Sequence, residues 1–443
     1  MKMVQGELDL TQDASDMGSN DSYSIRNGEA IHSLRVGDFS LESRIDADPV
    51  HMDDPKGFWW KSYLQGARPR SSNNTSSRLH VADLFCGPGG LALGVRQLAG
   101  EMGVELISEI AIDTDEEVTR VYAANHGARS TSTESVGALV DFRITGTASS
   151  AKFSYTPELI ATDWLGSSTP EVDLVLAGPP CQGHSNLNNH SRGDDRRNAL
   201  YMTVPAFAVA VEASIVIIEN VPNVVHDSSR VVETTKQLFH SAGYDVKTGF
   251  LSASAMGWAQ HRQRHFMIAR LDRSPLPLDV VAGALADPVS RSAWWAIEDL
   301  EDVESLDVMD QVTELSIENE SRVDWLFDNN EHDLALSERP LSHRDGTTYT
   351  SVYGRIKKDE PAQTLTTGFM SPGRGRYVHP TQRRVLTARE AARLQAFPDT
   401  YRFVVDPSNP PTRQKLAKWI GDAVPMPLGY GAALAALAPG SST

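Results

Sequence analysis

Leu174-Val175-Leu176-Ala177-Gly178-Pro179-Pro180-Cys181-Gln182-Gly183 is the stretch that decides the architecture of this chain. The apolar run from Val172 to Ala177 predicts a buried strand of a parallel sheet. Gly178-Pro179-Pro180 ends it abruptly, because proline cannot extend a ladder and restricts the residue before it. A thiol is left on the turn at the strand's carboxyl end, the edge where open α/β sheets bind ligands. Cys181 is placed as a nucleophile would be, although a cysteine that merely fills a turn fits the same pattern.

Upstream, His80 to Phe85 predicts another strand, running into Cys86-Gly87-Pro88-Gly89-Gly90 and a helix from about Leu91 to Leu98. Strand, glycine-rich turn and helix form a nucleotide-type cradle, in which glycine lets backbone approach a ligand and the helix start offers free N–H groups. The spacing is not the dinucleotide G-x-G-x-x-G. A strand from Leu106 to Ile112 ends at Asp113, before a helix from about Glu116 to Ala124. An acid there either grips ribose hydroxyls or caps the helix, a task open to Asp113 and Asp115 alike. Val140-Asp141-Phe142 is expected to end a third strand, with Asp141 able to accept a hydrogen bond from a purine amino group.

Downstream, residues 183–198 form a polar loop too long for a simple βα connection, holding Ser185, Arg192, Arg196 and Arg197. Its arginines can meet phosphates, or the loop is simply solvated. A helix from about Tyr201 to Ala213 leads to Ser214-Ile215-Val216-Ile217-Ile218-Glu219-Asn220, a second buried strand with a polar pair at its carboxyl end. Two parallel strands thus deliver a thiol and a carboxyl to one rim. A buried Glu219 would have a raised pKa and carry a proton near neutrality, unless it is a paired structural carboxylate. A helix from Ser229 to Ala242 precedes a strand pair near Tyr244 to Leu251 and Arg264 to Arg270. Gln260, Arg262 and Arg264 alternate and so face one side. Residues 271–345 break the α/β pattern. The stretch Pro372 to Arg384 is basic, with Arg374, Arg376 and Arg384 able to hold phosphates. Thr387-Ala388-Arg389-Glu390 is a capping box, and Gly421-Asp422-Ala423-Val424-Pro425 opens a final Ala/Leu helix.

The 443 residues suffice for two or three domains. Two cysteines exclude a disulfide framework or a Cys-rich zinc module and suit a reducing compartment. No apolar span or leader pattern suggests a membrane, so a cytoplasmic setting is expected. The net charge of −17 argues against a nucleic-acid partner, yet it is unevenly spread. Residues 1–60 carry −7 and residues 297–338 carry −14, so the remainder stands at +4. Residues 1–77 are acidic and lack sustained periodicity, which predicts a flexible extension, or else a partner-binding arm.

Taken in order from about Leu79 to Leu437, these motifs resemble the DNA cytosine-C5 methyltransferases. The resemblance rests on Asp83-Leu84-Phe85-Cys86-Gly87-Pro88-Gly89-Gly90, Pro179-Pro180-Cys181-Gln182 and Glu219-Asn220-Val221. It continues with Gln260, Arg262 and Arg264, then Arg389-Glu390-Ala391-Ala392-Arg393-Leu394-Gln395-Ala396-Phe397-Pro398-Asp399, and Gly421-Asp422-Ala423-Val424-Pro425. It implies an α/β fold: a Rossmann-like S-adenosylmethionine-dependent methyltransferase sheet with a smaller target-recognition domain. The catalytic and cofactor-binding domain would span 78–270 and the small domain 271–419, with its recognition segment within 301–350. A helix from 420–443 would return to the large domain.

The resemblance also implies S-adenosyl-L-methionine as cofactor. It would sit against Asp83, Phe85, Cys86, Gly87, Pro88, Gly89 and Gly90, with Asp113, Thr114, Asp141, Pro179, Asp422, Ala423 and Val424 around it. Asp113 stands where the family more often has Glu, and Asp422 where it more often has Asn. The implied substrate is cytosine in double-stranded DNA, with Gln182 and Ser185 beside the nucleophile. Thiolate attack on C6 makes C5 nucleophilic; a free thiol with a pKa of about 8.5 needs the site to favour its anion. Glu219 would donate to N3 and Arg264 would stabilise O2, with Arg262 less direct and Asn220 orienting the loop. The base must leave the stack to react. Two alternatives stand beside this reading: the same chemistry on tRNA, and a catalytically silent DNA-binding subunit. Intact Cys181, Glu219 and Arg264 oppose the second. The acidic segment 301–338 is expected either to shield a basic cleft or, like the N-terminal extension, to contact a protein partner.

Overall fold

The computed structural model describes residues 18–48, 53–71, 77–160, 171–180, 199–303, 305–344 and 351–439. Cys181, Gln182, Ser185, Arg192, Arg196 and Arg197 lie outside the described residues.

A seven-stranded sheet runs in the spatial order Asp245–Ser252, Gln263–Arg270, Ile215–Asn220, Leu174–Ala177, Arg78–Leu84, Glu105–Ile112, Ser130–Ser132. Leu174–Ala177 is completely buried and pairs in parallel with Arg78–Leu84 on one side and Ile215–Asn220 on the other. An apolar strand covered on both faces has no reason to alternate polarity, and this one does not. Asp245–Ser252 and Gln263–Arg270 form the expected antiparallel pair, and the latter also pairs antiparallel with Ile215–Asn220. Helices Ala199–Ala210 and Val231–Ser241 contribute Val204, Phe207 and Phe239 to one face of the sheet, against Val175, Val216 and Met267. The other face packs with helices Gly90–Met102 and Met426–Leu437.

Those two helices touch backbone to backbone. A Cβ on Gly94 would lie 2.3 Å from the Met426 carbonyl oxygen, and one on Gly429 would lie 2.7 Å from that of Leu91. The final helix therefore returns to the sheet against the helix that follows the glycine turn, and small residues permit it. The stretch Arg413–Leu437 is apolar and long enough to cross a bilayer, but 94% of its apolar window is buried.

Two expectations are corrected. The third parallel strand is Ser130–Ser132, whereas Val140–Asp141 pairs antiparallel with Glu158–Leu159 in a separate ribbon. The segment from residue 18 is not a flexible extension. Asn20–Arg26, Glu29–Val36 and Phe39–Asp46 make an antiparallel meander, extended by Arg70–Ser71 and joined by helix Pro55–Leu64. Ala30, Leu34 and Val36 alternate with residues of the other face, and Trp59, Trp60, Tyr63 and Leu64 join them in the main core. Asn27 and Gly28, both at positive φ (54° and 78°), make the first hairpin turn. Asn-Gly between alternating strands is a strong hairpin signal that composition had masked.

The segment after 270 carries helices Leu278–Ala284, Ala293–Ile297 and Ile317–Asp328, and a parallel pair of short strands, Gly354–Arg355 and Arg376–Val378. Val323, Leu326, Leu334, Val352, Tyr353 and Val378 form a small core of their own.

Candidate active site

The sheet register brings three strand ends to one level. Ala177 is in register with Leu84 on one side and Ile218 on the other. The next residue on each strand is Gly178, Phe85 and Glu219 in turn. A Cβ built on Gly178 would lie 3.8 Å from Glu219 Oε2 and 3.9 Å from the Phe85 carbonyl oxygen. The turn that leads into Cys181 is thus wedged between the glycine turn and the carboxyl. Asn220 braces it: its side-chain amide donates to the Pro179 carbonyl at 3.2 Å, while its oxygen accepts from the Val221 N–H at 2.8 Å.

Glu219 is buried and paired with Arg264, Oε1 to Nε at 2.7 Å. Burial raises its pKa, and the opposing charges of Arg264 and Arg262 do not cancel that rise. With Oε1 anchored by the arginine, Oε2 is the oxygen turned toward Gly178 and able to hold a proton. Arg264 Nη1 donates to the Gln263 carbonyl. The Arg262 guanidinium donates to the carbonyls of Leu365 at 2.6 Å and Gly421 at 3.1 Å. Gln260 joins it in this tie, donating to Leu394 O and Gln395 Oε1. Gln395 in turn donates to the Ile420 and Ala423 carbonyls. Gln260 and Arg262 are buried and Arg264 is half-buried; among the described residues, Arg264 is the one that pairs with Glu219. Tyr201 was missed by the sequence reading. Its hydroxyl is buried without a partner among the described residues, and burial plus the Glu219 charge push its phenol up.

Around the glycine turn, Phe85 takes positive φ (57°), as do Gly87 and Gly89. A Cβ on Gly87 would meet nothing within 4 Å, so that glycine faces open space. Gly90, by contrast, is pressed against the last motif: a Cβ there would lie 2.3 Å from Val424 O and 3.3 Å from Ala423 Cβ. Asp113 accepts from the N–H of Gly87 and of Asp115, each at 3.0 Å. It braces the turn, and Asp115 caps helix Glu116–His126. Thr114 is exposed beside them. Asp83 is buried beneath the turn with Oδ2 unpartnered among the described residues. Burial, against a hydrogen bond from Tyr122 and aided by the Asp113 charge, lifts it to about 7. Burial and the same two acids push the Cys86 thiol up, which makes it a poor nucleophile. An open glycine face, an orphaned buried oxygen and a carboxylate on the adjacent strand end suit a small polar cofactor.

Other expected contacts are displaced. Asp141 is exposed on its separate ribbon and accepts from the Tyr155 hydroxyl at 3.0 Å. Asp422 pairs with Lys418 at 2.9 Å, more than half exposed, so its charge is directed at lysine. Arg384 is committed inward, with two bonds to the buried Glu390 at 2.8 and 2.6 Å. Arg376 donates to the carbonyls of His332 and Arg355 and pairs with Asp333. Arg374 remains exposed. Part of the acidic segment is paired with arginines later in the chain: Asp324 and Asp328 with Arg383, Asp307 and Asp310 with Arg389, and Asp299 with Arg393. The capping box at Thr387 and Glu390 forms as expected.

Residues 79–435 match the family of C-5 cytosine-specific DNA methylases. The chain is 36% identical over 375 residues to the type II methyltransferase M1.BsuMI of Bacillus subtilis, covering 84% of each. It is 28% identical to the type II methylase M.HgiDII of Herpetosiphon aurantiacus, over 79% of this chain and 92% of that one. Among solved structures, S. pombe Dnmt2 methyltransferase superposes with a TM-score of 0.51 at 17% identity, over 80% of this chain and 96% of that one, a likeness of fold. The strand ends that bring Glu219 beside the turn before Cys181 are therefore those of a known enzyme family: this chain belongs to the C-5 cytosine-specific DNA methylases, and it methylates carbon 5 of cytosine in DNA.

Proposed function

We propose that the reaction proceeds through a covalent bond between Cys181 and C6 of a cytosine turned out of the duplex, with S-adenosylmethionine as donor. The supporting observation is the position of Gly178 between Phe85 and Glu219 Oε2. It sets Pro179 and Pro180, the residues before Cys181, beside the glycine turn and beside Glu219, whose pKa burial raises. The Cys181 thiolate forms the bond to C6 as Glu219 Oε2 gives its proton to N3, so the ring's electron pair moves toward C5 without a full charge on N3. Arg264, whose Nε holds Glu219, stabilises the carbonyl oxygen O2 of the base through its guanidinium. Asn220 acts on geometry, holding the Pro179 carbonyl and hence the turn.

Asp83, Asp113 and the Phe85–Gly90 turn, closed by Ala423 and Val424, hold the cofactor in this proposal. When bound, S-adenosylmethionine supplies the electrophilic methyl group that carbon 5 receives. The C5 proton then leaves to a base, the pair that bonded it restores the ring, Glu219 recovers the proton from N3, and Cys181 departs as thiolate. Extrusion of the base costs a few kcal/mol of lost stacking, which contacts in the pocket must offset. The biological setting proposed is restriction–modification, because the relative at 36% identity is a type II methyltransferase.

Replacing the C5 hydrogen by fluorine removes the proton whose loss expels the cysteine. Duplex DNA carrying 5-fluorocytosine in its target should therefore leave a denaturation-resistant adduct with the wild type and none with Cys181→Ser. A wild-type enzyme that methylates normal DNA yet leaves no adduct would refute the covalent reading. Labelled methyl transfer to duplex DNA and to tRNA, run in parallel, tests the substrate; label in tRNA alone would overturn it.

A further inference from the structure

The glycine turn is buttressed from far along the chain. The Tyr401 hydroxyl donates to the Pro88 carbonyl. The same phenolic oxygen lies 2.9 Å from Nε2 of His126, the last residue of helix Glu116–His126. A phenol has one proton, so with that proton on Pro88 the oxygen accepts from histidine. Nε2 must then carry the imidazole hydrogen and Nδ1 must be bare. Nδ1 is indeed buried with no partner among the described residues. Burial, with the charge of Arg96, pulls the His126 pKa down to about 3, so the ring stays neutral and keeps this role near neutrality.

Both ends of the relay are fixed. The Tyr401 ring is buried against Phe397 and Phe403. Its neighbour Arg402 exchanges two hydrogen bonds with Asn125, N–H to Oδ1 at 2.8 Å and carbonyl from Nδ2 at 3.0 Å. The Pro88–Gly89 peptide is held at both poles: its carbonyl by Tyr401, its N–H by the Cys86 carbonyl at 3.0 Å. Such a lock has a purpose here. Gly89 follows that peptide at φ 95°, and the glycine's freedom in φ leaves the plane able to flip unless it is held. Gly89 also makes room for the relay, since a Cβ there would lie 2.3 Å from His126 Nε2 and 2.9 Å from the Tyr401 oxygen.

We propose that His126 and Tyr401 are positioning residues for the methyl donor, a hydrogen-bond relay that locks the Pro88–Gly89 peptide in the orientation the donor requires. The inference rests on the reading that this turn holds the donor. The test is calorimetric binding of S-adenosylhomocysteine to the full chain, with thermal melts alongside. Tyr401→Phe and His126→Leu should bind about tenfold more weakly, while His126→Gln, which keeps an N–H donor, should bind close to wild type. Tyr244→Phe removes another buried hydroxyl-to-carbonyl bond, to Ala213, and should lower the melting temperature without changing the affinity. Tyr401→Phe binding within twofold of wild type, while Gly87→Val loses binding, would overturn the relay alone. Equal weakening in Tyr244→Phe would also overturn it, as a generic loss of stability. Binding insensitive to both Gly87→Val and Tyr401→Phe would instead overturn the donor-site reading beneath it.

Discussion

His32 should set the alkaline limit of this fold. Its ring is fully buried between two carboxylates, with Nδ1 2.8 Å from Glu101 Oε2 and Nε2 2.8 Å from Asp21 Oδ1. Burial alone would depress its pKa, but Glu101 and Asp21 outweigh burial and lift it from 6.5 to about 9. Lys56 pairs with Asp21 at 2.9 Å, and the Tyr430 hydroxyl donates to Glu101 at 2.9 Å. Tyr23 stacks on the imidazole, and burial with the nearby acids keeps both phenols above their usual range, so neither titrates in the same window. Because the folded value lies above the unfolded one, the stabilisation is fully present below about pH 6.5. It is lost as pH rises through about 9. Its full size is about 3 kcal/mol, at about 1.4 kcal/mol per tenfold change in proton affinity.

The assay is urea unfolding of the full chain between pH 6 and 10, with His32→Gln as reference. The wild type should lose about 3 kcal/mol more than the variant over that range. The variant should already be weaker at pH 6, because Asp21 and Glu101 keep their burial and lose their cation. Parallel pH profiles for the two proteins would refute a charged imidazole at this joint. The consequence reaches beyond stability, since Glu101 lies on the helix that starts at the glycine turn.

Three further outcomes follow from the same geometry. Asn220→Ala removes the braces on Pro179 and Val221, and should lower kcat by on the order of tenfold to a hundredfold while donor affinity, read by calorimetry, is unchanged. Gly94→Ala places a methyl 2.3 Å from a backbone oxygen that cannot yield, and should destabilise the fold by roughly 1–3 kcal/mol in denaturant titration. Arg374→Ala should reduce the salt slope of DNA binding by about one, whereas Arg384→Ala should leave that slope unchanged and lower the melting temperature, because it strands the buried Glu390.

The catalytic half was legible because its signals are local. A strand that must be apolar throughout, a turn that must be glycine, and a polar residue at a strand's end each announce themselves within a few residues. That is how Leu174–Ala177, the Cys86–Gly90 turn and the Ile215–Asn220 strand were found. The N-terminal meander carries an equally local signal in Asn27-Gly28, set within an acidic composition that by itself points to an unstructured arm. The arginines were illegible for a different reason. A basic side chain at 376 or 384 looks the same in sequence whether it meets a phosphate or a carboxylate of its own chain.

Alone, the sequence determined the α/β class, the buried strand before Cys181, the glycine turn and the family, since each depends on residue type and order. Tertiary structure decided which polar atoms meet. It gave Oε1 of Glu219 to Arg264 and turned Oε2 toward Gly178, sent Arg262 to Leu365 and Gly421, paired Asp324 and Asp328 with Arg383, and set Tyr401 behind Pro88. Hydrogen bonds and ion pairs are short-ranged and directional, so partners far apart in sequence are fixed only once the chain has folded.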